Sequence, residues 1–137
     1  MIISVSRRSD IPAFLGDWFM GQLRRGEVEV KNPFRPTQAK RVSLKRRDVD
    51  AFVFWSRDPR PFLPSLPEID RAGFPYYFLI TVTGYPRLLE PAVPRVDEAV
   101  AFFKDLAGRI GRRRVIWRYD PVIFTNETPF DFHVGNF

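Results

Sequence analysis

The chain has 137 residues, 45% of them hydrophobic and 15% aromatic, which favours one packed domain over a disordered segment. The net charge of +6 permits a nucleic-acid partner, and the lack of cysteine excludes disulfides, thiolate metal sites and a cysteine nucleophile within this chain. The apolar run at the amino terminus is too short for a signal peptide or a membrane span, so we expect a cytoplasmic protein with no membrane partner.

The first part of the chain predicts a strand, a helix and a second strand. The first strand covers about Ile2 to Ser6 and leads into a polar loop. An amphipathic helix is expected from Phe14 to Arg25, with Gly26 as its carboxyl cap. Its apolar stripe would contain Phe14, Trp18, Phe19 and Leu23. Alternation around Val28 and Val30 then predicts a short strand.

The middle of the chain is dominated by two apolar runs. Arg41 to Leu44 is interpreted as an extended segment, and Arg46 to Val49 as a helical turn. Ala51 to Trp55 has the uninterrupted apolar character of a strand that is covered on both faces. A short helix that ends at Gly73 follows, and Tyr76 to Val82 is predicted as the next strand.

The clearest helix is predicted from Arg95 to Ile110, because apolar residues recur there at intervals of three and four. It leads into a strand that starts at Val115. Thr128 and Pro129 then resemble a helix cap and first helical position. This alternation predicts an α/β fold of parallel βα units, with five strands in a small open sheet or a partial TIM-like (β/α) barrel.

Three of the predicted strands end in arginine and aspartate. Val115 to Pro121, Phe54 to Pro59 and Ser6 to Pro12 each run from apolar residues into charge and then into proline. Ligands of parallel α/β proteins bind beyond the carboxyl ends of the strands, so these charges would converge on one binding site. Alternation would place Ser4, Ser6, Arg8 and Asp10 on one face of the first strand, and Ile116, Arg118 and Asp120 on one face of the last, toward that site. The alternative is that the same residues pair with each other and only seal the strand ends.

The residue types at these strand ends suit an anion-binding site. Guanidinium groups hold carboxylates or phosphates by forked hydrogen bonds, and carboxylates orient them or act as general bases. The candidate anion-binding residues are Arg8, Arg57 and Arg118, and the candidate catalytic or orienting residues are Asp10, Asp58 and Asp120. Trp55 and Trp117 either stack on a ligand or belong to the core. His133, the one histidine, is interpreted as a surface or packing residue.

Two basic segments leave a second function open. The segment from Lys31 to Arg47 contains no acidic residue and seven basic ones, which are Lys31, Arg35, Lys40, Arg41, Lys45, Arg46 and Arg47. A second basic cluster covers Arg112 to Arg114. Such segments bind nucleic-acid phosphates, and the binding then weakens with salt. Solvated loop surface is the alternative interpretation.

Several motifs together resemble the uncharacterised family called domain of unknown function 1848. They are Ile2 to Phe14, Lys31 to Phe34, Arg41 to Leu44, Phe54 to Pro59 and Val115 to Pro121, and the resemblance spans Met1 to Phe137. Members of that family are about twice as long and carry a carboxyl-terminal cysteine cluster similar to that of radical S-adenosylmethionine enzymes. The resemblance implies a TIM-like barrel of which residues 1–137 form the amino-terminal half as one domain.

The resemblance also extends the list of candidate binding residues. The positions that carry over are Ser6, Arg7, Arg8, Asp10, Trp55, Arg57, Asp58, Trp117, Arg118 and Asp120. An iron-sulfur cluster and S-adenosylmethionine are implied only for a full-length relative, because the cysteine-bearing half is absent here; no metal or cofactor is expected in this chain.

Three hypotheses follow from the sequence. The chain is the amino-terminal part of an iron-sulfur barrel enzyme with a small anionic ligand, a nucleic-acid-binding domain that uses Lys31 to Arg47, or an inactive remnant that self-associates through open sheet edges. In each case we expect the chain alone to have no catalytic activity.

Overall fold

The computed structural model describes residues 1–35 and 37–137 and has a mixed α/β architecture. The strands are β1 (Ile2–Ser4), β2 (Glu27–Lys31), β3 (Ala39–Ser43), β4 (Ala51–Ser56), β5 (Tyr76–Thr81) and β6 (Val115–Arg118). The helices are α1 (Ile11–Phe14), α2 (Gly16–Arg25), α3 (Leu66–Arg71), α4 (Val96–Ile110) and α5 (Phe130–Asn136). Short 3₁₀ segments cover Arg46–Asp48, Arg60–Ser65 and Arg112–Arg114.

The main sheet contains four parallel strands in the order β1, β4, β5, β6. Ile2 lies opposite Ala51, and Phe78 lies opposite Val115. Because all four strands run in the same direction, their carboxyl ends meet at one edge, as the sequence predicted. The sheet is open, since β1 and β6 each pair on one side only within the described residues.

The expectation of a fifth parallel strand around Val28 and Val30 is wrong. This segment is β2, which pairs antiparallel with β3 in a separate hairpin, with Glu27 opposite Ser43 and Lys31 opposite Ala39. The connection between β2 and β3 is too short for a crossover helix, and a short connection joins antiparallel strands. The extended segment predicted at Arg41 to Leu44 and the turn at Arg46 are both confirmed.

The hydrophobic core lies on one face of the main sheet. Phe52 and Phe54 on β4 and Phe78 on β5 are fully buried there. Phe19 of α2 packs edge-on against Phe52 and Phe54, with ring centroids 5.4 and 5.5 Å apart. The helices and the 3₁₀ segment add Leu23, Phe62, Leu66, Ile69, Phe102, Leu106 and Ile110 to the same cluster.

The helix predicted from Phe14 to Arg25 is divided at Leu15 into α1 and α2. Asp10 caps the first turn by accepting a hydrogen bond from the backbone of Ala13, so the helical phase is set before Phe14. Phe14 and Trp18 are therefore 80% and 48% exposed and do not belong to the core stripe. Gly26 ends α2 in the left-handed conformation, as predicted, with φ 78°.

The last helices agree closely with the sequence predictions. α4 begins at Val96, and the short helix predicted before Gly73 is confirmed as the 3₁₀ segment and α3. α5 starts one residue later than expected, because the Thr128 hydroxyl donates to the Ile123 carbonyl and Pro129 takes the capping position. No helix in residues 1–35 and 37–137 is long and apolar enough to cross a membrane.

The second face of the main sheet is largely uncovered. Ile2, Trp55 and Ile116 project on that face and are 67%, 38% and 45% exposed. Val53 is buried there but does not join the core cluster. The two faces thus differ in kind: helices cover one, and the other carries half-exposed apolar side chains.

Candidate functional site

The first contact at the carboxyl edge joins the loop after β1 to the end of β4. Oδ2 of Asp10 accepts the backbone N–H of Arg57 at 2.8 Å, and Oδ1 accepts that of Ala13 at 3.0 Å. Both carboxylate oxygens are therefore used to hold backbone groups. This geometry favours the orienting role predicted for Asp10 over the role of a general base.

The side chain of Arg57 forms an ion pair with a residue that the sequence reasoning missed. Its Nη2 lies 2.6 Å from Oε1 of Glu90, and its Nη1 donates to Oγ1 of Thr83 at 3.2 Å. The Thr83 hydroxyl in turn donates to Oε2 of Glu90 at 2.9 Å. Glu90 is the one acidic residue between Asp70 and Asp97, and that isolation in a proline-rich loop was the available signal.

A second group at the same edge contains Arg118, Asp120 and Trp55. The guanidinium carbon of Arg118 lies 4.2 Å from the centre of the Trp55 ring, which is a cation–π distance. Its Nη2 lies 2.6 Å from Oδ2 of Asp120. The Arg118 side chain is 25% exposed, whereas that of Asp120 is 59% exposed. Within the described residues, Nη2 makes the hydrogen bond to Asp120, and Nε and Nη1 have no protein partner and are not fully buried.

The loop after β1 contains two more of the predicted site residues, Arg7 and Arg8. Arg8 donates from Nη1 to the Lys31 carbonyl at 2.7 Å and so ties the loop to the hairpin. Arg7 is exposed. The expectation that Ser4, Ser6, Arg8 and Asp10 alternate along one strand face is wrong, because β1 ends at Ser4 and the later residues belong to turns and a bend. The Ser6 hydroxyl is buried without a partner among the described residues.

Asp58 and Trp117 make their side-chain contacts with other residues than Arg57 and Arg118. Asp58 binds Arg60 through two hydrogen bonds of 2.7 Å, and this pairing lowers the pKa of the Asp58 carboxyl. Trp117 projects from β6 on the side opposite Arg118 and donates from Nε1 to the Val82 carbonyl at 3.0 Å. These contacts support structural roles for both residues.

A cleft of about 750 Å³ lies beside Arg57 at the end of β5. Its polar wall contains Arg57, Thr83 and Glu90, and the loop before α4 supplies Tyr85 and Arg87. The Arg87 guanidinium donates to the carbonyls of Pro91 and Val93, so the loop holds it in place. The cleft is a pre-formed cavity of the size that binds small molecules.

His133 is a packing residue, in agreement with the sequence interpretation. It is buried among aromatic rings that include Phe124 and Phe132. Its Nε2 lies 3.1 Å from the Ile123 carbonyl, which can only accept, so Nε2 carries the proton. Nδ1 therefore accepts the Tyr119 hydroxyl at 2.7 Å.

The basic segment at Lys31 to Arg47 is partly committed to structural contacts. Arg46 donates to the carbonyls of Gly73 and Val49 and lies over the Phe74 ring at 5.8 Å. In the hairpin, Glu29 lies opposite Arg41. The nucleic-acid role of this segment stays a prediction, with fewer free charges than the sequence count suggests.

Within residues 1–35 and 37–137, no group of three or more histidine, cysteine, aspartate or glutamate residues is placed to hold a metal ion. The chain also contains no cysteine, so it does not supply the thiolates that an iron-sulfur cluster requires. The donor set of this chain therefore does not fit such a cluster.

Comparison with known protein families shows which family the chain belongs to. A family model described as a domain of unknown function (DUF1848) matches residues 2–137. The chain belongs to this family. No curated protein and no solved structure matches this DUF1848 member. The family description names no activity.

Proposed function

We propose that the carboxyl edge of the main sheet binds a small organic anion and that Arg118 is its principal contact. The observation that carries the proposal is the burial and hydrogen bonding of the Arg118 guanidinium. It is three-quarters shielded from solvent, lies against the Trp55 ring, and has two donor nitrogens without partners among the described residues. Neither nitrogen is fully buried, so an anion can reach both of them, and forked charge-assisted hydrogen bonds of this kind are stronger than neutral ones.

Trp55 and Asp120 prepare Arg118 for this role. Stacking on Trp55 fixes the plane of the guanidinium, so less conformational entropy is lost when a ligand binds. Asp120 holds one nitrogen from the solvent side and is itself 59% exposed. A carboxylate or phosphate would approach the remaining Nε and Nη1 edge, which matches the forked geometry of such anions.

Arg57 has a supporting part in the proposal. Glu90 already neutralises its charge, and Thr83 and Asp10 fix its side chain and backbone. Arg57 therefore lines the cleft and stabilises the carboxyl edge, whereas Arg118 lies outside the lining of that cleft and makes the direct contact with the anion. Asp10 orients Arg57, and no general base is assigned.

We also propose that the sheet is part of a TIM-like barrel. The spatial order of the parallel strands follows the chain order, with helices on one face only. A doubly wound sheet would instead reverse its strand order and carry helices on both faces. Iron-sulfur and S-adenosylmethionine chemistry stays a proposal about longer relatives, and no step of it is assigned to this chain.

The anion site is tested by titrating the protein with sodium citrate and sodium phosphate at constant ionic strength. Tryptophan fluorescence reports binding, because Trp55, one of the three tryptophans, lies against Arg118. We expect a saturable change that Arg118→Gln weakens at least about tenfold, since a charge-assisted forked contact is lost. Arg118→Lys keeps the charge but not the fork and should bind weakly.

The matched control is Arg113→Gln. Arg113 is an exposed arginine just before β6, at the opposite edge of the sheet. It should leave the titration unchanged. An equal response of the unmodified protein and Arg118→Gln, or the absence of any saturable response, would contradict the proposed site.

A further inference from the structure

Thr81 lies next to Arg118 at the carboxyl edge of the main sheet. It is the last residue of β5, and it lies opposite Arg118, the last residue of β6. Paired residues of neighbouring parallel strands project from the same face of the sheet, and the strands are about 4.8 Å apart. The side chains of Thr81 and Arg118 are therefore neighbours, on the face of the sheet that carries Trp55.

The contact between Arg118 and Trp55 brings the guanidinium over β5. Trp55 belongs to β4 and Arg118 to β6, so their side chains meet above the strand that lies between them. The residues of β5 in this register are Leu79, opposite Trp55, and Thr81, opposite Arg118. The guanidinium thus lies beside Thr81, which is half-buried and whose hydroxyl has no hydrogen-bond partner among the described residues.

The charges at this edge favour a ligand with a single negative charge. Glu90 lies 2.6 Å from Arg57, and each of these two charges therefore balances the other. Asp120 lies 2.6 Å from Arg118 in the same way. A phosphate monoester carries about 1.5 to 2 negative charges near neutral pH, so Asp120 would repel it more strongly than a carboxylate. A carboxylate carries one charge, and its two oxygens can accept hydrogen bonds from Arg118 and Thr81 together.

Thr81 also lines the cleft of about 750 Å³ at the end of β5. The apolar part of the cleft wall includes Val82, Val93 and Val96. A cavity of this size encloses a small organic molecule, and apolar walls favour an apolar ligand body. Because Thr81 belongs to the cleft and is also the neighbour of Arg118, one ligand can fill the cleft and place an anionic group at Arg118.

We propose that the ligand is a monocarboxylic acid with an apolar body, and that Thr81 and Arg118 together bind its carboxylate. The Thr81 hydroxyl donates to one carboxylate oxygen, Arg118 donates from its guanidinium, and the apolar body lies in the cleft. This assignment rests on the anion site of the proposed function, and it adds the chemical class of the ligand and a second contact residue.

Nitrogen-15 NMR titrations of the protein with sodium acetate, sodium phenylpropionate and phenyl phosphate, near neutral pH and at constant ionic strength, test the class of the ligand. We expect phenylpropionate to bind at least about tenfold more tightly than acetate, because its apolar body is removed from water in the cleft. It should also bind more tightly than phenyl phosphate, which has a similar ring but a higher charge.

Variants of Thr81 test the second contact. Thr81→Val keeps the shape of the side chain and removes the hydroxyl, so it should weaken phenylpropionate binding at least about fivefold through the loss of a hydrogen bond to a charged group. Thr81→Ser keeps the hydroxyl and should bind nearly as the unmodified protein does. The matched control is Thr37→Val, at an exposed threonine between β2 and β3, which should leave the affinity unchanged.

Val93→Phe tests the place of the ligand body. The larger side chain occupies part of the cleft, so this variant should weaken the binding of phenylpropionate. Acetate is the control, because it has no body to place in the cleft and should bind to Val93→Phe as it binds to the unmodified protein.

Three results would overturn the inference: equal affinities for acetate and phenylpropionate, tighter binding of phenyl phosphate than of phenylpropionate, or an unchanged affinity in Thr81→Val. The comparison of ligands uses the unmodified protein, so it decides the matter even if a variant fails to fold. If one of these results is found while citrate binding still depends on Arg118, the anion site remains and only the ligand class and the role of Thr81 are wrong. If citrate and all three probes fail to bind, the proposed function is wrong as well.

Discussion

The carboxylate of Glu90 lies 2.6 Å from the guanidinium of Arg57, and the two side chains are only 14% and 28% exposed. The pair joins the loop before α4 to the end of β4, across a long separation in sequence. The pair stands at the wall of the candidate cleft and helps to hold this loop over the carboxyl edge, together with the Tyr85 hydroxyl, which donates to the Pro121 carbonyl at 2.8 Å.

Glu90→Gln should destabilise the protein by about 2 to 3 kcal/mol, because it leaves a shielded arginine without its counter-charge. Urea unfolding monitored by circular dichroism measures the change. Glu68→Gln is the matched control, since it removes an ion pair with Arg24 whose side chains are 38% and 61% exposed. That exposed pair should contribute far less. Equal shifts of the unfolding midpoint would show that shielding of the Arg57 pair has no energetic effect.

Tyr119→Phe should cost about 1 kcal/mol of stability, because it removes the hydrogen bond to Nδ1 of His133 while keeping the ring. Tyr77→Phe is the control, since the Tyr77 hydroxyl has no partner among the described residues. Nitrogen-15 NMR of the imidazole should show the proton on Nε2 in the unmodified protein. A proton on Nδ1 would contradict the assignment.

Tyr76→Phe should stabilise the protein by about 1 kcal/mol near neutral pH, since the buried Tyr76 hydroxyl has no hydrogen-bond partner in the described part of the chain. Burial raises the pKa of Tyr76 to about 12, above its ordinary value of 10.0. The unfolded chain therefore loses this proton first, and stability falls between pH 10 and about 12. The variant should show a smaller fall over this range, and an identical pH profile would contradict the burial of the hydroxyl.

Arg60→Gln should raise the pKa of Asp58, because the hydrogen bond from Arg60 is the main cause of its lowered value. A carboxyl whose folded pKa is lowered adds stability above its ordinary pKa of 3.8, and this stability is lost as the pH falls through the folded value. Carbon-13 NMR titration of the Asp58 carboxyl in both proteins measures the shift. An unchanged pKa would show that another group sets it.

The parallel sheet could be predicted from the sequence because its signals are local. Apolar runs such as Ala51 to Trp55 end in charge and proline, and the periodicity of α4 is complete within its own residues. The hairpin was mistaken for a sheet strand because alternation around Val28 identifies a strand but not its partner. Likewise, the helix predicted from Phe14 to Arg25 is divided at Leu15 because Asp10 caps α1, and apolar periodicity does not show where a helix cap lies.

The candidate site was predictable only in part, for a related reason. The strand ends identify Arg57 and Arg118, and the structure places both at the carboxyl edge. The partners of these arginines come from tertiary folding: Glu90 arrives on a loop, and Trp55 meets Arg118 across β5. Asp58 shows the converse, since its carboxylate pairs with Arg60, two residues along the chain, and not with one of the candidate anion-binding arginines that it was predicted to orient.

The hairpin of β2 and β3 can change in length with little effect on the main sheet. The chain leaves α2 at Gly26 and returns at Leu44, whose backbone N–H donates to the Gly26 carbonyl at 2.8 Å. The excursion from Glu27 to Ser43 therefore starts and finishes at the same point in space. Insertions or deletions within it need not alter the spacing of the four parallel strands, so evolution can lengthen, shorten or replace this appendage while the scaffold that holds Arg57 and Arg118 stays constant.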